Sequence, residues 1–255
     1  MTVTSLRPSA KAQAPSYQKK GLSVRAAATP APALWIYGPI GDTGWADGFD
    51  QEDFLEAMQM VPANAKTLEI RINSEGGDAI LGQAIYSVLA QHKARKIVYI
   101  DGFACSAASL IAMCGDEIRM AEGAFLMIHN ARTYVSGYYG EASELDGYIT
   151  QIQKVQTLLG DVSAGYAKAY MAKCNKPVAQ IQKWMNEETW FTAERAKAEG
   201  FCDVIDSRIP VAACANLAKA GYKKAPESIK AKANGDSPSS LSVLQKLRAI
   251  AHNAN

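Results

Sequence analysis

The sequence predicts an α/β protein with a mostly parallel sheet, on two observations. Short runs of β-formers alternate with helix-length segments whose apolar residues recur at spacings of three and four. Two of those runs, Thr67–Ile72 and Ile97–Ile100, end in small-residue turns that open directly into helices, the pattern of helix crossovers between parallel strands. A chain of 255 residues, 48% hydrophobic and 20% charged, can bury one sizeable core, so a single domain with extensions is expected.

Residues 1–32 are rich in Ala, Pro, Ser and Lys, carry five bases and no acid, and are expected to form a disordered basic arm. An arm of that kind, which buries nothing, is open to proteolysis. Leu34–Gly38 reads as the first strand of a domain spanning 33–206. A Gly/Asp loop then leads to a helix from Gln51, with Asp50 as N-cap and Glu52 and Asp53 complementing its dipole. Thr67–Ile72 alternates as a strand and ends in Asn73-Ser74-Glu75-Gly76-Gly77-Asp78. The helix after it places Ile80, Leu81, Ala84, Ile85, Val88 and Leu89 on one face.

The next strand, Ile97–Ile100, meets Gly102-Phe103-Ala104-Cys105-Ser106-Ala107-Ala108-Ser109 and a buried helix. Short strands follow at 117–120 and 124–128. An extended, glycine-punctuated stretch from Asn130 to Gly140 precedes a long helix over about 141–172. That helix carries Ile149, Ile152, Val155, Leu158, Leu159 and Val162 in an apolar stripe that continues through Tyr166 and Tyr170. It exceeds what a compact domain can cover, so part of the stripe is expected to meet another subunit. Pro177 opens a helix ending near Glu188, Thr192–Glu199 is a short helix closed by Gly200, and Cys202–Ile205 is a last strand.

Residues 207–255 return to Ala, Lys, Ser and Pro with eight bases against two acids, and are expected to be a basic flexible tail. Val243, Leu244, Leu247, Ile250 and Ala251 mark a short amphipathic helix there, either a partner-docking element or a weak helix on a loose tail. The body between the ends is acidic. Basic ends of this kind are more often solvated than bound to nucleic acid, which is not an expected partner. No apolar stretch reaches the ~20 residues needed to cross a bilayer, so no membrane association is expected. Five cysteines without C-x-x-C spacing suit reduced, buried thiols in a cytoplasmic protein. No metal or other cofactor is expected, since neither a P-loop nor a ligand cluster is present.

The chemistry centres on Ser106. A serine between a strand and a helix has free backbone N–H groups and the positive end of the helix dipole beside its hydroxyl, which suits a nucleophile whose product state is an oxyanion. Of three histidines, His92 and His252 lie in charged or tail surroundings. His129 ends an apolar strand, where an imidazole can serve as general base. Gly76-Gly77 offers unobstructed N–H groups and Ala107 N–H is a second donor beside the serine.

The order Ile72-Asn73-Ser74-Glu75-Gly76-Gly77, then Gly102-Phe103-Ala104-Cys105-Ser106-Ala107, then Met127-Ile128-His129-Asn130, resembles the Clp protease proteolytic subunit family over roughly 34–206. It is most similar to the branch from phage head-assembly modules, the prohead or head maturation proteases. The resemblance implies a ClpP/crotonase-like spiral of strand-helix units with a long handle helix. It implies a serine endopeptidase with Ser106 as nucleophile, His129 as base and Glu188, within Asn186–Ala193, as the acid, and such an enzyme is expected to remove part of its own arm, at Val24–Ala28. Gly76 and Ala107 match the oxyanion donors, and Gly77, Asp78, Asn130 and Ala131 the residues beside the substrate strand. Departures are Glu75 where the family often has Pro, Asp78 for an apolar residue, Ala107-Ala108 for Met-Gly, Asn130-Ala131 for Gln-Pro and Glu for Asp at position 188. The implied partners are copies of itself in a heptameric ring or two stacked heptamers, with phage capsid or scaffold proteins as substrates, in the bacterial cytoplasm or inside the prohead. Whether an unfoldase feeds the ring stays open. Two other readings remain: a crotonase-like acyl-CoA enzyme, which needs no serine nucleophile, and a ring or scaffold component with a dead site.

Overall fold

The structure, a computed structural model, describes residues 16–25, 31–44, 46–135, 139–208 and 220–226. The tail helix expected at 243–251 lies outside these residues. The described chain forms nine strands in one sheet and six helices. Five pairs are parallel: β3 (Ala33–Tyr37) with β4 (Thr67–Ser74), β4 with β5 (Arg95–Cys105), β5 with β6 (Glu117–Ala121), β5 with β7 (Phe125–Ile128), and β6 with β9 (Val204–Asp206). The alternating pattern of apolar runs and amphipathic helices therefore resolves into the expected α/β fold. Among the described residues no helix is long and apolar enough to cross a membrane.

The amino-terminal side differs from expectation. Residues 16–25 are a hairpin, β1 (Ser16–Lys19) and β2 (Leu22–Arg25), that extends the sheet antiparallel to β3. Lys20 and Gly21 take positive φ (43° and 87°), the backbone that a two-residue hairpin turn requires. Leu22 and Val24 alternate inward and are buried, while Tyr17 and Lys19 both reach the buried Asp53 of α1 (Gln51–Gln59). A basic composition suggested an arm, but two alternating apolar residues beside Gly21 suffice to dock it. Val24, at the expected self-cleavage point, is 2% exposed.

β5 is the strand that positions the site. Its first half pairs with β4 and β6, and its last three residues pair with β7 (Phe125–Ile128) through Phe103↔Phe125, Ala104↔Leu126 and Cys105↔Met127. Between the halves the β4 register jumps from Ile72↔Ile100 to Ser74↔Ala104. The extra residues form a pinned bulge: Phe103 N–H donates to Asn73 Oδ1 (3.1 Å), and Asp101 accepts from Arg71 Nε and Nη2 (2.9 and 2.6 Å) and from the Tyr37 hydroxyl. Such a bulge re-aims the strand that carries it. Here it turns the end of β5 onto β7, so Ser106 and His129 leave adjacent strand ends.

α2 (Ala79–Gln91), capped by Asp78, packs on the short α3 (Ala107–Ala112). The approach is close enough that a Cβ on Gly82 would lie 2.8 Å from Ala107 Cβ. α4 (Ala142–Cys174) is the long helix, two residues longer at its end than expected. Tyr166 and Tyr170 are buried, whereas Leu145, Ile149 and Leu158 are 41–51% exposed, so its first half stands off the core. α5 (Val178–Asn186) stops before Glu188, which takes a left-handed φ of 49°. A strand that sequence periodicity did not reveal, β8 (Thr189–Thr192), then pairs antiparallel with β7, and α6 (Ala193–Glu199) follows with Thr192 as cap. Pro177 caps α5 instead of entering its first turn. The tail is not wholly loose either: residues 220–226 lie on the body, with Ala220 and Ala225 buried.

Candidate active site

Ser106 occupies a strand-to-helix elbow at φ 54°, ψ −121°, a backbone that costs a non-glycine residue of order 1–3 kcal/mol and persists only when its surroundings fix it. Several bonds do so. Ser106 N–H donates to Met127 O of β7 (2.9 Å), and Ser106 O accepts from Ser109 N–H (3.0 Å) and from the Ser109 hydroxyl (2.6 Å). The same hydroxyl lies 2.8 Å from Tyr170 Oη of α4. Ser109 and Tyr170 were not legible as site residues, because their work is to hold a carbonyl, which no motif records.

His129 Nε2 lies 2.8 Å from Ser106 Oγ. The imidazole is 8% exposed, and its pKa is pushed down to about 4, by burial first and then by the nearby Arg132 cation, with Glu188 pulling the other way. A ring held neutral at pH 7 can accept the serine proton. Cys105, next to the serine, is fully buried in its own small cluster with Met127, and burial pushes its thiol pKa well up, so it is no competing nucleophile.

The donors are placed unequally. Ala107 is the first residue of α3, beside the serine. Gly76 packs against the elbow so tightly that a Cβ there would lie 2.4 Å from Cys105 O and 3.1 Å from Ala107 N, and its φ of 89° also demands glycine. Its N–H, however, donates to Ser74 Oγ (3.0 Å), which donates in turn to Gly38 O (2.6 Å). The expected oxyanion donor is in position but committed.

The expected acid is also committed elsewhere. Glu188 Oε2 accepts from Lys223 N–H (3.1 Å) and Oε1 from Lys224 N–H (2.7 Å), with Trp190 Nε1 at 3.5 Å. Its charge is felt at His129, but its two backbone donors come from the 220–226 segment. Tyr222 of that segment packs edge-on against both His129 and Trp190, each with ring centroids 5.6 Å apart, and was not legible in a tail read as loose.

Of the four residues expected beside substrate, Gly77, Asp78 and Ala131 line a cleft of about 730 Å³ together with Ser106, His129 and the apolar face of α4 from Ile152 to Val162. The Asp78 carboxylate caps α2, accepting from Leu81 N–H (2.8 Å), and its own N–H donates to Ile40 O (2.7 Å). Ala131 N–H is held by Ser163 Oγ (3.0 Å). The Asn130 amide turns to Asn186 Oδ1 (2.7 Å).

A serine on a strained strand-to-helix elbow, paired with a histidine at the carboxyl end of the neighbouring strand and opening on an elongated cleft, places the molecule among α/β proteins built around a Ser–His pair. The sequence profile described as Clp protease matches residues 36–208, and the chain belongs to the Clp protease family. It is 32% identical over 117 residues to an uncharacterized protein of Methanocaldococcus jannaschii, a match covering 45% of this chain and 39% of that relative. Among solved structures it is similar to a ClpP1 mutant from Listeria monocytogenes, with a TM-score of 0.55 and 18% identity over 68% of this chain and 89% of that one, a likeness of fold.

Proposed function

We propose that the chain is a serine endopeptidase of the Clp type. The observation that carries this reading is the 2.8 Å contact between His129 Nε2 and Ser106 Oγ on the strained elbow. In the proposed reaction Ser106 Oγ attacks the scissile carbonyl carbon as its proton passes to His129 Nε2. The tetrahedral oxyanion is held by Ala107 N–H and, once freed from Ser74, by Gly76 N–H. His129 then protonates the leaving amine, and water, deprotonated by the same imidazole, resolves the acyl-enzyme. Glu188 is the proposed acid that stabilises the imidazolium, which requires its carboxylate to exchange the Lys223 and Lys224 amides for the ring.

The proposed substrates are proteins, and those implied by the sequence resemblance are phage capsid or scaffold chains in a bacterial host. A homo-oligomeric ring is the proposed assembly, supported by the exposed apolar residues on the first half of α4. A fluorophosphonate probe tests the chemistry: mass spectrometry is expected to find one adduct, on Ser106, absent in Ser106→Ala, while iodoacetamide leaves activity intact. Loss of activity with iodoacetamide and no phosphonate adduct would move the nucleophile to a thiol. Mixing the wild type with neighbouring capsid proteins is expected to give fragments that Ser106→Ala does not.

A further inference from the structure

Residues 220–226 make a set of contacts that no surface tail needs. The Tyr222 hydroxyl donates to Glu75 O, 147 residues earlier in the chain. Arg132 donates from Nη1 to Gly221 O (3.1 Å) and from Nη2 to Ala220 O, and its guanidinium lies 4.9 Å from the Tyr222 ring centroid. Lys223 and Lys224 donate their backbone N–H groups to Glu188, and Ala220 and Tyr222 form part of the cleft wall beside Ser106 and His129. Each contact falls on a group that the proposed reaction needs, or on its immediate neighbour.

The Glu75–Gly76 peptide shows what this does. A trans peptide points its C=O and N–H in opposite directions, so the orientation of one fixes the other. With Glu75 O taken by Tyr222, Gly76 N–H is directed to Ser74 Oγ and is not offered to the cleft. Glu188 sits just past the end of α5 and faces the segment's amides in the same way.

We infer that residues 220–226 are a self-docked inhibitory strap, latched by Tyr222, which holds the oxyanion peptide turned away and the acid withdrawn from His129. The inference rests on the serine-peptidase reading above. Undocking the strap frees three things together: the Glu75–Gly76 peptide to rotate, Glu188 to approach the imidazole, and the cleft wall at Ala220 and Tyr222 to open for an extended peptide. The closed and open forms then share one nucleophile and differ in their electrostatic complement, so the strap sets the population of competent sites.

The test compares the second-order rate of Ser106 labelling by a fluorophosphonate in the full-length wild type, Tyr222→Phe and Lys224→Pro. Phe keeps the ring and removes the latch hydroxyl, and Pro removes the amide donor to Glu188 at an exposed position. Each is expected to raise the labelling rate about fivefold, the effect of one net hydrogen bond on the closed form. If Tyr222→Phe does not fold, as judged by its thermal melt, Lys224→Pro decides. Wild-type labelling that both variants leave unchanged or slow overturns the strap and leaves the peptidase reading standing. No labelling of Ser106 in any of the three proteins overturns both.

Discussion

The two flanks of the cleft are built to different degrees of readiness. On the nucleophile flank, Ser106 and His129 come from the adjacent ends of β5 and β7, and a 2.8 Å contact joins groups only 23 residues apart. The bonds that hold Ser106 (to Met127 O and Ser109, with Tyr170 behind Ser109) come from elements of the core. On the opposite flank, Gly76 and Glu188 are in the neighbourhood, but their hydrogen-bonding groups are spent on Ser74 and on the 220–226 segment. The difference teaches that such a site can keep its reactive pair permanently assembled and leave its charge-stabilising parts switchable.

His129→Ala breaks the ready flank, and the largest effect is expected there: loss of peptide hydrolysis by on the order of 10⁴-fold or more, measured as kcat/KM, because it removes the base that contacts Ser106 Oγ. Glu188→Gln acts on the other flank. It is expected to lower kcat roughly 10²-fold or more, since a neutral partner no longer stabilises the imidazolium once the acid is engaged. Glu187→Gln, at the exposed end of α5, is expected to stay within about twofold. Equal losses from the two glutamate variants would erase the distinction between the flanks on the acid side.

The smallest effect is in pH. With the His129 pKa pushed down to about 4, the imidazole stays neutral, and Ser106 stays able to react, well below the usual histidine range. The acid limb of the labelling rate is expected near pH 4, and to move upward in Tyr222→Phe as Glu188 draws closer. Stability carries the same sign. Between pH 6.5 and 4 the unfolded chain binds a proton at this ring that the folded chain does not, so stability is full above 6.5 and falls as pH drops through that window. The loss is up to roughly 3 kcal/mol. Melting temperatures at pH 7 and 4.5, compared with His129→Gln, which lacks the titration, check it.

What the sequence disclosed follows the same division. Ser106, His129, the paired glycines and the succession of strands and helices were legible because each is written locally, as a turn, a period or a motif. The β1–β2 hairpin and β8 were not, since four-residue strands carry too little periodicity to stand out from a basic arm or a helix end. Tyr222 and Arg132 were missed for a different reason: their roles exist only across long separations, and a lysine-rich tail gives no sign of which of its residues returns to the body. Asp78 lies on the cleft wall and Gly76 against the Ser106 elbow, but sequence could not show that Gly76 N–H would bond Ser74 or that Asp78 would cap α2.

The position of the strap in the chain also has a consequence in time. At synthesis rates of ~5–20 residues per second, Tyr222 leaves the ribosome roughly 5–20 s after His129. Strands β5 and β7, which bring serine and histidine together, are close in sequence and can pair early, whereas the Tyr222–Glu75 contact must close a loop of almost the whole domain. A nascent chain therefore acquires its reactive pair before its latch, and the interval between the two is a window in which the newborn molecule is least guarded.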